Sequence, residues 1–249
     1  EVEKDYPGKR VDTHAYPWSR RAPKTMRPRP NVVIRLCTIE CCFSHSLGAC
    51  TSPRNREFVR DLEEWSKVSD RLWIWNYVTS FSQFFMPFPD IRGRADTIRL
   101  FAKNNVKGVF QQDIYTTPNG EFNGLSGYLN ARLLWDPSAD ANAVVREFLD
   151  GVYGPAASQI GAYLDMIHGE ASPESVHVGV WQGPDAEYLS DTVLARADSL
   201  WNEAEKAVAN NPEVFARVRT ARLSPDYAII CRDRLRGGAF IVDQERRRL

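Results

Sequence analysis

Two carboxylates and a set of polar and aromatic residues stand where strand-like segments end. VDTHAY closes on His14 and Tyr16. VVIRLCTIECC carries Glu40 near its end. LWIWNYV ends in Trp75, Asn76 and Tyr77, and VKGVFQQD ends in Gln111, Gln112 and Asp113. In parallel barrels the carboxyl ends of the strands bind ligands. Aromatic faces stack on sugar rings, and amides and carboxylates hold hydroxyls. Glycoside hydrolysis uses a proton donor and a second carboxylate that attacks or stabilises the cationic sugar centre. Glu40 and Asp113 are the candidates for those roles. Burial behind the apolar run before Glu40 would raise its pKa toward the range of a general acid. His14, Tyr16, Trp75, Asn76, Tyr77, Gln111 and Gln112 are the candidate substrate-binding residues. Each has a plain structural alternative: Glu40 pairing with an arginine, Asp113 forming a turn, the aromatics filling a core, His14 holding a hydrogen bond.

Residues two apart in a strand share a face. His14 therefore points with Tyr16, Trp75 with Tyr77, and Gln111 with Asp113. If each pair faces a barrel mouth, all of them surround one cavity together with Glu40.

The segments that must position these residues alternate strand and helix. Strands are expected at 11–16, 32–42, 72–78 and 106–112, with helices at about 54–68 and 94–104. That alternation predicts parallel βα units and an α/β fold. Only about four strands can be found, and a (β/α)8 barrel needs eight, so residues 1–121 read as the C-terminal half of a TIM barrel. Residues 122–249 read as a helical C-terminal region, with helices at about 122–134, 140–151, 154–169, 186–210 and 212–236. Ser138 or Asp140 can cap the second of these. The chain opens EVEKDYPGKR, without an initiator methionine, and reads as a fragment of a longer polypeptide.

Composition narrows the function classes. Lys+Arg and Asp+Glu are both 32, so no electrostatic pull toward nucleic acid is expected. A run of 18 or more apolar residues is lacking, so no membrane span is expected. The cluster Cys37, Cys41, Cys42, His45 and Cys50 has the spacing C-x3-C-C-x2-H-x4-C. It lacks the paired C-x2-C units of a closed zinc site, and a strand over 32–42 gives Cys37 and Cys41 poor chelating geometry, so no metal is expected. A disulfide involving Cys42 or Cys50 stays open. Dinucleotide, P-loop, zincin and α/β-hydrolase signatures are missing as well.

Four long stretches, RPRPNVVIRLCTIECCFSH, SDRLWIWNYVTSFSQFFMPFPD, NNVKGVFQQD and LLWDPSADANAVVREFLDGVYGPAA, resemble the DUF4838 family of bacterial proteins. The resemblance implies a barrel similar to those of α-glucuronidases and β-N-acetylhexosaminidase-type glycoside hydrolases, with an upstream domain and a downstream helical region. It implies a carbohydrate substrate and hydrolysis of glycosidic bonds without a cofactor; the compartment stays open, although polysaccharide degraders are often exported. In such barrels the principal acids lie on the fourth strand, upstream of residue 1, which would make the residues here binding walls. One departure bears on activity: this chain has VFQQD where the family pattern would be VFEQG, so Gln111 stands in place of a carboxylate. The competing reading is a non-catalytic carbohydrate-binding protein on a degenerate barrel.

Overall fold

The computed structural model describes residues 1–116 and 120–235. After a short helix α1 (Val2–Asp5), four strands alternate with two helices: β1 (Val11–Ala15), β2 (Val32–Cys37), α2 (Pro53–Ser66), β3 (Leu72–Tyr77), α3 (Ile91–Lys103) and β4 (Val106–Gln112). Five helices follow: α4 (Asn123–Trp135), α5 (Ala141–Tyr153), α6 (Ala157–Glu170), α7 (Asp191–Ala207) and α8 (Pro212–Leu235). No described helix is long and apolar enough to cross a membrane.

The strands form one parallel sheet in the order β1-β2-β3-β4. Right-handed crossovers between successive neighbours put their helices on one face. Burial follows that rule. Ile34, Leu36, Leu72 and Ile74 are buried in one core with Phe58 and Leu62 of α2 and Ile98 and Phe101 of α3. That core runs on without a break through Leu125, Leu129, Tyr163 and Trp201, so residues on either side of position 121 share it. An open four-stranded sheet, not a closed barrel, is what the described residues form.

Expected element positions hold closely, with two physical differences. β2 ends at Cys37, not at residue 42. Its apolar run continues because the chain turns there, Cys41 N–H donating to the Thr38 carbonyl at 2.8 Å, and stays buried beneath residues 176–180. α7 starts at Asp191, not at residue 186. Ser190 caps it, its hydroxyl accepting from Val193 N–H, and Glu187–Leu189 form a separate 3-10 turn. Of the two possible caps for α5, Asp140 takes the role, accepting from the amides of Asn142 and Ala143.

Candidate functional site

The face opposite the helices carries Asp12, His14, Arg35, Cys37, Trp73, Trp75, Gly108, Phe110 and Gln112, as the strand register shows. A bulge sets the last strand's parity. Trp73 pairs with Gly108 while Leu72 pairs with Val106, so Lys107 is the extra residue and everything after it shifts by one. Gly108 is required beneath Trp73, because a Cβ there would lie 2.7 Å from the indole. At the lower end of the face Arg35 bonds Asp12 at 2.5 Å and lies over the Trp73 ring.

The upper end is aromatic. The His14 ring meets Trp75 edge-on at 5.3 Å, and Trp75 meets Phe110 at 5.1 Å. The Trp75 indole N–H donates to Gln112 Oε1 at 2.5 Å. Past the strand ends the series continues from Tyr77 to Phe81, then to Phe84 and Tyr115 on one side and Trp181 on the other, with ring spacings of 5.4 to 6.2 Å. Several of these rings reach solvent: Tyr16 is 40 % exposed, Phe110 43 %, Trp181 64 % and Tyr115 75 %. Burial raises the phenol pKa of Tyr16 and Tyr77, and neighbouring Cys37 adds to both. Glu40 lies close enough to add to Tyr16 as well.

The single cavity expected from the sequence is therefore divided. His14, Trp75 and Gln112 meet on the open face, with Tyr16 and Tyr77 beside them at its upper end. Asn76 and Gln111 turn to the helix side. Thr38 Oγ1 bonds Asn76 Oδ1 at 2.8 Å, Asn76 Nδ2 donates to Gln111 Oε1 at 2.7 Å, and the Gln111 amide nitrogen is buried without a partner. Asp113 also turns away: Ser126 of α4 donates to its Oδ2, and the Ile114 amide donates to Oδ1 at 2.8 Å. Gln111 and Asp113 miss the cavity expected to hold them with Trp75 and Tyr77 because the Lys107 bulge shifts β4 by one residue.

Glu40 sits in the loop after β2, 24 % exposed. Its Oε2 accepts from Arg20 at 2.6 Å, and Oε1 faces Arg54 at 3.6 Å. Arg20 itself is buried and bonds Asp61 at 2.8 Å. The arginine pairing noted as the structural alternative for Glu40 is thus present.

On the helix side a buried network lies behind the strand ends. Arg94 of α3 donates to both oxygens of Asp90 at 2.7 Å and to Ser126 Oγ at 3.0 Å. Burial raises the Asp90 carboxyl to about 6, against the pull of Arg94. Glu121 is pushed well above the usual carboxylate range by burial and then by the charge of Asp90.

Two groups of residues were missed in the sequence. The rim aromatics Phe110 and Trp181 are one. The other is a set of sulfur and nitrogen atoms from Cys42, His45, Cys50 and His177, all within 4.8 Å of one another. Three of these belong to the cluster whose spacing argued against metal, but the fourth lies far along the chain. For Trp181 and His177 the signal is VHVGVW. Val176, Val178 and Val180 are buried alternately, which turns His177 and Trp181 to the other side. Backbone bonds hold this segment to the strand ends, from Phe43 N–H to Val178 O at 2.8 Å and from Phe81 N–H to Val180 O at 2.6 Å.

A family model described as "Domain of unknown function (DUF4838)" matches residues 1–165. No curated protein and no solved structure matches the chain.

Proposed function

The chain belongs to the DUF4838 family, and from that premise we propose that it binds carbohydrate along the open upper face of its sheet, as one wall of a parallel barrel of the glycoside-hydrolase type. The barrel reading is supported by strands added in sequence order with their helices on one side. A doubly wound sheet would instead reverse its order and cover both faces. On this reading the open face is the inner wall, and its upper end is the ligand end.

The observation that carries the binding reading is the run of solvent-reaching rings at the carboxyl ends of the strands, with the Gln112 amide among them. Such rings offer flat apolar faces for sugar rings, while the carboxamide and His14 serve hydroxyls. Glu40, Tyr16 and Gln112 then form the polar margin. Asn76, Gln111 and Asp113 support the wall from behind.

A hydrolase reading is favoured by one feature, a partly exposed carboxylate beside Tyr16 at the same edge. Held by Arg20 and Arg54, Glu40 suits stabilisation of a developing positive charge better than proton donation. Asp113, bonded to Ser126, is not offered as its partner acid.

The test uses the full-length protein against a panel of immobilised oligosaccharides. We expect retention of at least one glycan, lost or cut roughly tenfold by Trp75→Ala and by Trp181→Ala, the scale of one stacking contact. Wild-type protein that retains none of the panel, or variants that bind as well as wild type, would overturn the binding reading. Sugar release that disappears in Glu40→Gln with binding retained would establish hydrolysis.

A further inference from the structure

We propose that Cys42, His45, Cys50 and His177 form a closed four-ligand site for a zinc ion, which ties the segment 171–182 to the loop after β2. The proposal is independent of any sugar.

The first argument is distance. Zinc bonds of about 2.3 Å to sulfur and about 2.0 Å to nitrogen, arranged tetrahedrally, put neighbouring donor atoms about 3.3–3.8 Å apart. Here His45 Nδ1 lies 3.4 Å from Cys42 Sγ and 3.8 Å from Cys50 Sγ, and Cys50 Sγ lies 3.7 Å from His177 Nδ1. All four donors fall within 4.8 Å. Two thiolates and two imidazoles in a tetrahedron select zinc among the common divalent ions.

The second argument is donor chemistry. His45 Nε2 lies 3.1 Å from the carbonyl of Ser172, which can only accept. Nε2 therefore carries the proton, and the Nδ1 lone pair faces the sulfurs. A ligand histidine is commonly oriented in this way through its second nitrogen. Neither sulfur is in a disulfide.

The third argument is preorganisation. The Asn55 side chain accepts from Cys42 N–H at 2.7 Å and donates to Cys42 O at 3.0 Å. Thr97 accepts from Leu47 N–H at 3.1 Å, and Ser46 O accepts from Cys50 N–H at 3.1 Å. Gly93 of α3 packs directly under the loop, since a Cβ there would come within 2.8 Å of the His45 carbonyl carbon. Three donors are thus fixed on a loop braced by two helices, and the bond from Phe43 N–H to Val178 O at 2.8 Å sets the segment of the fourth beside it. Phe43, within that loop, lies 6.4 Å from the Tyr77 ring, so the ion would also steady one side of the aromatic edge.

The experiment measures metal content of the full-length protein grown with zinc and purified without chelator. One zinc per chain is expected. After chelation, added Co2+ should produce the visible absorption of a tetrahedral cobalt site with a thiolate charge-transfer band. His177→Ala is the most informative variant because His177 is the exposed member of the four. It should lower zinc content severalfold and change the cobalt spectrum, whereas Cys231→Ser should leave both unchanged. Folded wild-type protein with substoichiometric zinc and no cobalt band would overturn the proposal. So would a Cys42–Cys50 disulfide found by mass spectrometry in freshly purified protein.

Discussion

The two faces of one sheet solve the problem of polar groups in opposite ways. On the helix side, Asp90, Arg94, Ser126 and Asn130 are buried and bonded to one another. On the other side, His14, Tyr16, Trp75, Phe110 and Gln112 stand at a surface where their rings and amide can meet a second molecule. A group satisfied inside the protein contributes to stability and has little left for a ligand. A group left at the surface contributes little to stability and is available. The comparison explains why polar residues adjacent in sequence, Gln111 and Gln112, belong to different tasks.

The largest expected effect lies on the buried side. Arg94→Met removes the partner of both Asp90 oxygens and strands a carboxylate in the core. Loss of one member of a buried pair costs about 3–5 kcal/mol. Urea denaturation should show that loss, with a smaller loss in Arg94→Met/Asp90→Leu, where no charge is left behind. Equal losses in the single and double variants would mean that the pair contributes through packing alone.

Next in size is a pH effect from His168, whose Nε2 accepts from Ile91 N–H at 3.1 Å at the start of α3 and whose Nδ1 donates to Leu164 O at 2.7 Å. Burial lowers its pKa to about 4, and Arg92 and Arg94 add to that, while Leu164 and Asp165 oppose it. The folded state then binds the proton more weakly than the unfolded chain, whose histidine titrates near 6.5. The contribution is full above pH 6.5 and is lost as pH falls toward 4, on the order of 3 kcal/mol. Asp90 acts in the opposite sense: a carboxyl raised to about 6 favours the folded state as pH falls from about 6 toward its unfolded value. The wild-type slope is therefore the difference of two effects. The stability gap between wild type and His168→Gln should shrink from pH 7 to pH 4.5. A gap constant across that range would remove His168 as an acid-sensitive group.

Much of the frame could be read from periodicity. The strand at 106–112 and the helix over 212–235 needed only spacing, and turn chemistry narrowed the cap of α5 to Ser138 or Asp140. The site was less readable for three local reasons. The single extra residue at Lys107 reverses which side chains of β4 face outward, and its one local mark, Gly108 inside the strand pattern, does not say where the extra residue falls. The apolar residues past Cys37 serve a buried loop, which imitates a longer strand. The fourth member of the Cys–His cluster comes from position 177, and nothing near Cys50 announces it. Local spacing cannot count donors that the fold supplies from elsewhere.

The smallest expected effect belongs to the open face and tests the comparison most directly. Phe110→Ala deletes a ring that is 43 % exposed and touches Trp75 edge-on. If that face meets only solvent or ligand, the variant loses no more than the ring pair, about 0.5–1.5 kcal/mol, while glycan retention falls. If another part of the full-length protein covers the face, the ring is a core residue and truncation costs about 3–5 kcal/mol. The same denaturation experiment, run on the full-length protein, separates the two. A loss in the upper range would make Phe110, and Trp75 beside it in register, packed parts of a barrel wall, leaving Tyr115 and Trp181, past the strand ends, to carry binding.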